Sequence, residues 1–470
     1  MLSFVLAASL AAAPAPRAAL GSETIVHISR LDGLQGLTAF LERAGQPAAL
    51  LRPDAWLAEL HPFFSLDPRQ PDTFTRAGID PSGPLTLSLR PTGRISCSRV
   101  SDPKRFQERA AATLLSAHSK GKEVKPTTSA GVTTVLVPRE SGGDAGYALK
   151  GQEVCAFATL GGGFVDDGQG PVLRKEASRL VGVTPKPDNR LAALPGVLHL
   201  SMPGRGLTLG LDGTASELRL EGTGTELPLP AFMPMGTSPY GGMKPQGLLF
   251  SRARLTPTGT ADALNQVRAL VQRVCTACPR AEVTALARAV AEQLTGHVLI
   301  AVDGAKQRPD LRTAEGRVFA ARQALAAEVT DAEALRRAIA PVGKLPGARA
   351  LEDGYALEVK GGTLFLRTRG RQLLLGNDSA VTQTLFAAVT EQGAPLPHAV
   401  DFAVDPPRVA GALKQVSLMD VMSEKSLAGI FTVGLEMGPL LARSERITGW
   451  IDSLPGGGHR FSSLWTLPKE

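Results

Sequence analysis

The stretch GYALEVKGGTLFLRTRG, Gly354 to Gly370, decides how the chain is read. Its first four residues also stand at Gly146 to Leu149, in GYALKGQEVCAFATLG, 208 positions earlier (354 minus 146). In both places an apolar run is followed by a short turn with glycine and by a second apolar run, the pattern of a β-hairpin. Tyr and Leu of such a strand face one side of the pleat and Ala the other. The repeated opening therefore marks the first strand of a hairpin that occurs twice, and predicts a duplicated domain.

Working outward, other features come into rough register. Upstream stand SRVSDPKRFQERAA and AAEVTDAEALRRAI, in which a β-like run is followed by Ser or Thr, then Asp, then a helical pattern. Asp102 and Asp331 suit helix N-caps, since a short carboxylate accepts hydrogen bonds from the unpaired amides of the first turn. Pro103 suits the first helical position, where no N–H is needed. Downstream, each copy shows a second strand (VCAFAT, TLFLRT), a turn with Gly and Asp, a helix (VLRKEASRLV, AVTQTLFAAV), and a strand stopped by proline (GVLHLSMP, AVDFAVDPP). Ahead of the Asp caps each copy begins with a strand (TIVHIS, GLLFSRARL), helical patterns, and a strand (PLTLSLR, GHVLIAV), with Gly296 as a helix stop. RVFAARQALAAEV, 317–329, has a helical composition, but its counterpart GRISCSRV reads as strand, so a strand is assigned to both.

The expected fold class is α+β: two similar halves from a duplication, each a largely antiparallel sheet covered by helices. The halves run over 22–225 and 247–470, joined by a Pro/Gly/Met-rich linker at 226–246. In the second half a helical insertion of one or two helices is expected at about 408–442, with apolar residues near helical spacing. Met419, Met422, Phe431 and Met437 there form a candidate surface for a partner or an apolar ligand, because methionine-rich surfaces adapt to what they hold.

Composition bounds the function classes. The chain has 470 residues, with 43% hydrophobic and 20% charged residues, the make-up of a folded multidomain protein. A net charge of +7 comes from basic residues that are scattered and mixed with acids, so no nucleic-acid partner is expected. The first 21 residues, MLSFVLAASLAAAPAPRAALG, resemble a signal peptide and predict a periplasmic or secreted protein. The most apolar later run, Leu427 to Ala442, is interrupted by Glu436 and Pro439, so no transmembrane helix is expected.

As a whole, the arrangement, with GIDPSGPLTLSLRPTGR and VSDPKRF as strand, turn and helix start, resembles an uncharacterised family of secreted bacterial proteins built from tandem α+β repeats. The resemblance implies export and duplication, and no activity.

Few residues carry chemistry. Cys275 and Cys278, in VCTACP, are the sharpest motif. A zinc site needs further ligands that are not nearby, and a redox pair belongs at a helix N-terminus, whereas this pair follows the long helical pattern ADALNQVRALVQR. A local disulfide at the joint of two helices is expected. Cys97 and Cys155, on two expected strands, are either buried small hydrophobes or a second disulfide. Ser101 and Lys104 have the S-x-x-K spacing of serine acyl-enzymes without its companion motifs, and Asp166 and Asp167 lack the ligand pattern of a calcium loop. The histidines are isolated in sequence, and His459 is expected in a hairpin loop. No residue is assigned to catalysis, to a cofactor or to a metal. The expected function is non-enzymatic: binding of a protein partner or a lipid-like, apolar ligand, between the halves or under the methionine-rich insertion. The alternative is a hydrolase whose site is assembled from distant residues.

Overall fold

The structure is a computed structural model that describes residues 23–44, 60–118, 124–139, 143–159, 169–182, 194–225, 227, 229–306, 310–389, 393–423 and 427–469. The segment read as a signal peptide, and Asp166 and Asp167, lie outside the described residues. The chain divides into two compact units, the division falling after Glu226.

In the first unit the described strands are β1 (Thr24–Ile28), β2 (Leu85–Arg90), β3 (Gly93–Arg99), β4 (Thr127–Ser129), β5 (Val132–Pro138), β6 (Asp144–Lys150), β7 (Glu153–Thr159), β8 (Leu198–Met202), β9 (Leu207–Gly213) and β10 (Glu217–Gly224). They pair antiparallel throughout, in the order β4-β5-β6-β7-β3-β2-β1-β8-β9-β10. The helices are α1 (Leu34–Arg43), α2 (Asp72–Ala77), α3 (Pro103–His118) and α4 (Gln169–Leu180). As expected, Asp102 accepts from the amide of Arg105 at the start of α3. On one face of the sheet α4 covers Ile95, Ala148, Cys155 and Phe157. On the other, Tyr147 packs edge-on against Phe63 and Phe106.

The second unit holds β11 (Gly236–Ser238), β12 (Leu249–Arg254), β13 (Leu294–Ala305), β14 (Ala321–Val329), β15 (Ala348–Leu351), β16 (Gly354–Val359), β17 (Gly362–Arg369), β18 (Gln372–Gly376), β19 (Ala394–Leu396), β20 (Val400–Val404), β21 (Arg446–Ser453) and β22 (His459–Thr466). Strands β11 and β19 form a separate pair. The remainder make an antiparallel sheet in the order β15-β16-β17-β18-β14-β13-β12-β20-β21-β22. Its helices are α5 (Pro257–Val274), α6 (Arg280–Ala291), α7 (Ala314–Val318), α8 (Ala332–Ile339), α9 (Ser379–Ala388), α10 (Pro406–Leu413), α11 (Leu418–Ser423) and α12 (Ala428–Arg443). Asp331 caps α8, accepting from the amides of Glu333 and Ala334.

Ranked by occurrence along the chain, the ten strands of each sheet follow one order: 4-5-6-7-3-2-1-8-9-10. The repeated GYAL does not occupy one place in it. Gly146 lies in β6, sixth by rank, and Gly354 opens β16, fifth by rank. The two glycines share one need: a Cβ on Gly146 would stand 2.0 Å from the carbonyl oxygen of Val135 on β5, and one on Gly354 2.1 Å from that of Leu366 on β17, while Gly354 alone also has a positive φ, +155°. What the copies share is a two-residue turn into the next strand, Lys150 pairing with Glu153 and Val359 with Gly362.

Several sequence expectations are corrected. Gly296 does not stop a helix: α6 ends at Ala291, and Gly296 sits at φ +92° where β13 bulges between Leu294 and Val298. The stretch 226–246, read as a linker, has its described residues packed into the second unit. Its Phe232, Met235, Tyr240 and Met243 are buried, because the guanidinium of Arg252 on β12 donates to the carbonyls of Tyr240, Gly241 and Met243. Ala321–Val329 is a strand as expected, but Arg317 and Val318 belong to the short helix α7 before it. His459 is not in the loop; it is the buried first residue of β22. The insertion holds three helices, α10 to α12, among the described residues.

Candidate functional site

The site is an apolar cavity inside the second unit, and its walls follow from sequence periodicity. Helix α5 starts cleanly because Thr256 accepts from the amide of Gly259 and Pro257 fills the first position. Its Leu264, Val267 and Val271 recur at helical spacing on one stripe. Helix α6 repeats the device with Val283, Leu286, Ala287 and Val290. The helices meet at a tight joint. Cys275 caps α5, Cys278 stands just before α6, and the two form a disulfide with Cα atoms 5.4 Å apart and both side chains buried.

Facing this helix pair is the sheet. Leu325 on β14 pairs with Leu375 on β18, Leu375 with Leu366 on β17, and Leu366 with Tyr355 on β16. Four apolar side chains thus form one row across four neighbouring strands. A second tier comes from Ala327 opposite Leu373 and from Leu357 opposite Leu364. These strands lie under a helical layer, yet Leu325, Leu366, Leu375 and Tyr355 are only half-buried. The helices stand off the sheet, and the space between measures about 130 Å³. The exposed wall of the cavity is entirely apolar, and among the described residues Arg268 on α5 is the only charged one that lines it. An apolar cavity of this size can take up a benzene-sized group, since its walls offer water no hydrogen bonds.

The methionine-rich insertion behaves differently. Met419 and Met422 are exposed, 68% and 72%, beside exposed Leu418 on α11. Phe431 instead packs against the core of Leu311, Val416 and Leu427, and Met437 against that of Ala410, Leu441 and Ile447. The four residues grouped by the sequence reading are therefore split between an exposed helix and two cores. Met235 and Met243 are buried as well.

Cys97 and Cys155 face each other on β3 and β7 and form the second disulfide, Cα atoms 4.0 Å apart. Ser101 and Lys104 are both exposed at the start of α3. Of the histidines, isolated in sequence, the fold brings two together among the described residues. His27 and His199, on neighbouring strands, stack with ring centroids 6.1 Å apart, and His27 Nδ1 lies 2.9 Å from the Thr86 hydroxyl. Desolvation, then the charge of His199, holds His27 below the usual imidazole range. His61, 1% exposed among Phe63, Phe64 and Phe106, is pushed down to about 3, chiefly by burial and then by the charge of Arg94. Among the described residues no three His, Cys, Asp or Glu side chains are grouped to hold a metal.

Sequence reasoning pointed to the joint between the helices and missed the cavity beside it. The available signal was the pair of apolar stripes on α5 and α6 together with the leucine-rich β16 to β18. No protein-family model matches the chain, and no curated protein matches it.

Proposed function

We propose that the chain is a non-enzymatic, exported protein that binds an apolar ligand in the cavity between α5, α6 and the sheet of the second unit. One observation carries this reading: a wholly apolar void under a helix pair, floored by leucines that the fold leaves half-buried. Filling such a void recovers contacts that its lining otherwise lacks, so a matching ligand stabilises the folded state. Export to a periplasmic or extracellular medium is supported by two disulfides with no cysteine left over among the described residues. No helix among the described residues is long and apolar enough to cross a membrane.

Duplication is the second part of the proposal, supported by the common strand order and by Asp102 and Asp331 capping the helix that follows the third strand by rank in each unit. It is in keeping with the family of secreted tandem-repeat proteins that the sequence resembles. Native mass spectrometry of protein purified from its cell envelope is the direct test of binding. A bound small molecule that is lost when Ala287 is replaced by Leu supports the reading. Repeated recovery of an unliganded chain that no hydrophobic additive stabilises overturns it.

A further inference from the structure

We infer that the ligand is a short single-chain amphiphile with an anionic head, its tail in the cavity and its carboxylate on Arg268. This inference rests on the cavity being a ligand site and names what the site selects. Among the described residues Arg268 is the only charged one in an otherwise apolar lining. Along α5 its neighbours one turn away are Leu264, Asn265, Val271 and Gln272, none of them acidic. Among the described residues it has no ion-pair or hydrogen-bond partner. The other described arginines of this unit that are at least half-buried each have a partner: Arg252 holds Asp401, Arg367 holds Asp353, Arg254 donates to the carbonyl of Pro234 and Arg317 to that of Leu311. A half-buried guanidinium whose stem runs along an apolar wall keeps its head at the water boundary. The cavity wall exposes no polar surface, so Arg268 lines it with its stem; in the proposed complex the guanidinium beside that wall gives a carboxylate two parallel N–H donors, and charge-assisted pairing of this kind is the stronger class of hydrogen bond. The void of about 130 Å³ limits the enclosed part of the tail to a benzene-sized volume, so a short or medium chain fits and a long one must protrude.

The test is a titration of the full chain, carrying methyl-labelled leucine, with octanoate and with 1-octanol, repeated on Arg268→Gln. In the wild-type protein octanoate is expected to shift a subset of leucine methyls and to bind about tenfold more tightly than the alcohol. In Arg268→Gln that preference should vanish while 1-octanol binding stays as it was. Equal binding of the two ligands to the wild-type chain, or a preference that survives the substitution, overturns the assignment of Arg268 and leaves the cavity as a ligand site. If neither ligand shifts any leucine methyl, the cavity reading itself fails, and the inference with it.

Discussion

At the scale of single residues, the two disulfides and one histidine make separable predictions. Cys97 and Cys155 close a loop of 58 residues, so replacing both by Ser should lower stability by roughly 4 kcal/mol if loop entropy dominates. Cys275 and Cys278 are three apart, and by the same relation the change there should cost roughly 1.5 to 2 kcal/mol. Urea unfolding of the two double variants compares them directly, and equal losses would contradict the loop argument. His61 sets a pH dependence whose sign is fixed. Its folded value is about 3 against an ordinary value of 6.5, so it is neutral in the fold and binds a proton more readily once unfolded. Its contribution is fully present above about pH 6.5 and is lost as the pH falls from there towards 3, on the order of several kcal/mol. His27, His297 and His459, each lowered first by burial, act in the same direction. Urea midpoints measured from pH 7 to pH 4 should fall steeply in the wild-type protein and less steeply in His61→Phe. An unchanged slope would remove His61 from the account. None of this stood in the sequence, where His61 is one histidine beside two phenylalanines; burial is created only when α3 and β6 bring Phe106 and Tyr147 to that place.

Among elements, those with strong local signals were readable in advance and those set by distant partners were not. Asp102 and Asp331 cap helices because the capping bond spans three residues, and no tertiary context is needed to foresee it. Gly296 failed for the opposite reason. A glycine after a helical run looks like a C-cap, but here its positive φ serves a bulge whose other half is β14, 33 residues on at Val329 opposite Leu294. GYAL misled in a similar way, since a four-residue match reports a local hairpin and cannot say which strand of the meander carries it. The cavity was hidden because a void is a property of how far α5 and α6 stand from the sheet, not of any side chain. It makes an element-level prediction. Ala287→Leu adds apolar volume from the helix side and should raise stability by about 1 to 2 kcal/mol while blocking the ligand. A loss of stability in thermal unfolding would mean that the space is too shallow to be filled.

For the whole molecule, the informative disagreement is the stretch 226–246. Its Pro, Gly and Met content is that of a linker, and composition alone contains nothing to oppose that reading. Arg252 decides otherwise. Its guanidinium, 8% exposed and paired with Asp401, collects three backbone carbonyls from 240–243 and draws Tyr240 into the core of Phe250, Leu299 and Leu374. Burial holds the Tyr240 phenol well above its usual range, and its hydroxyl donates to Gln372 at 2.6 Å. The second unit therefore begins at Leu227, not Gly247. Removing 227–246 would strip away buried Phe232, Met235, Tyr240 and Met243, each worth roughly 1.5 to 3 kcal/mol of apolar burial, and would leave the Arg252 guanidinium short of three acceptors. That sum is comparable to the whole stability of an ordinary domain. A chain of 227–470 should then unfold cooperatively in urea, with near-ultraviolet dichroism from its packed aromatic rings, while a chain of 247–470 should show neither. Cooperative unfolding of both at similar midpoints would restore the stretch to the status of a linker.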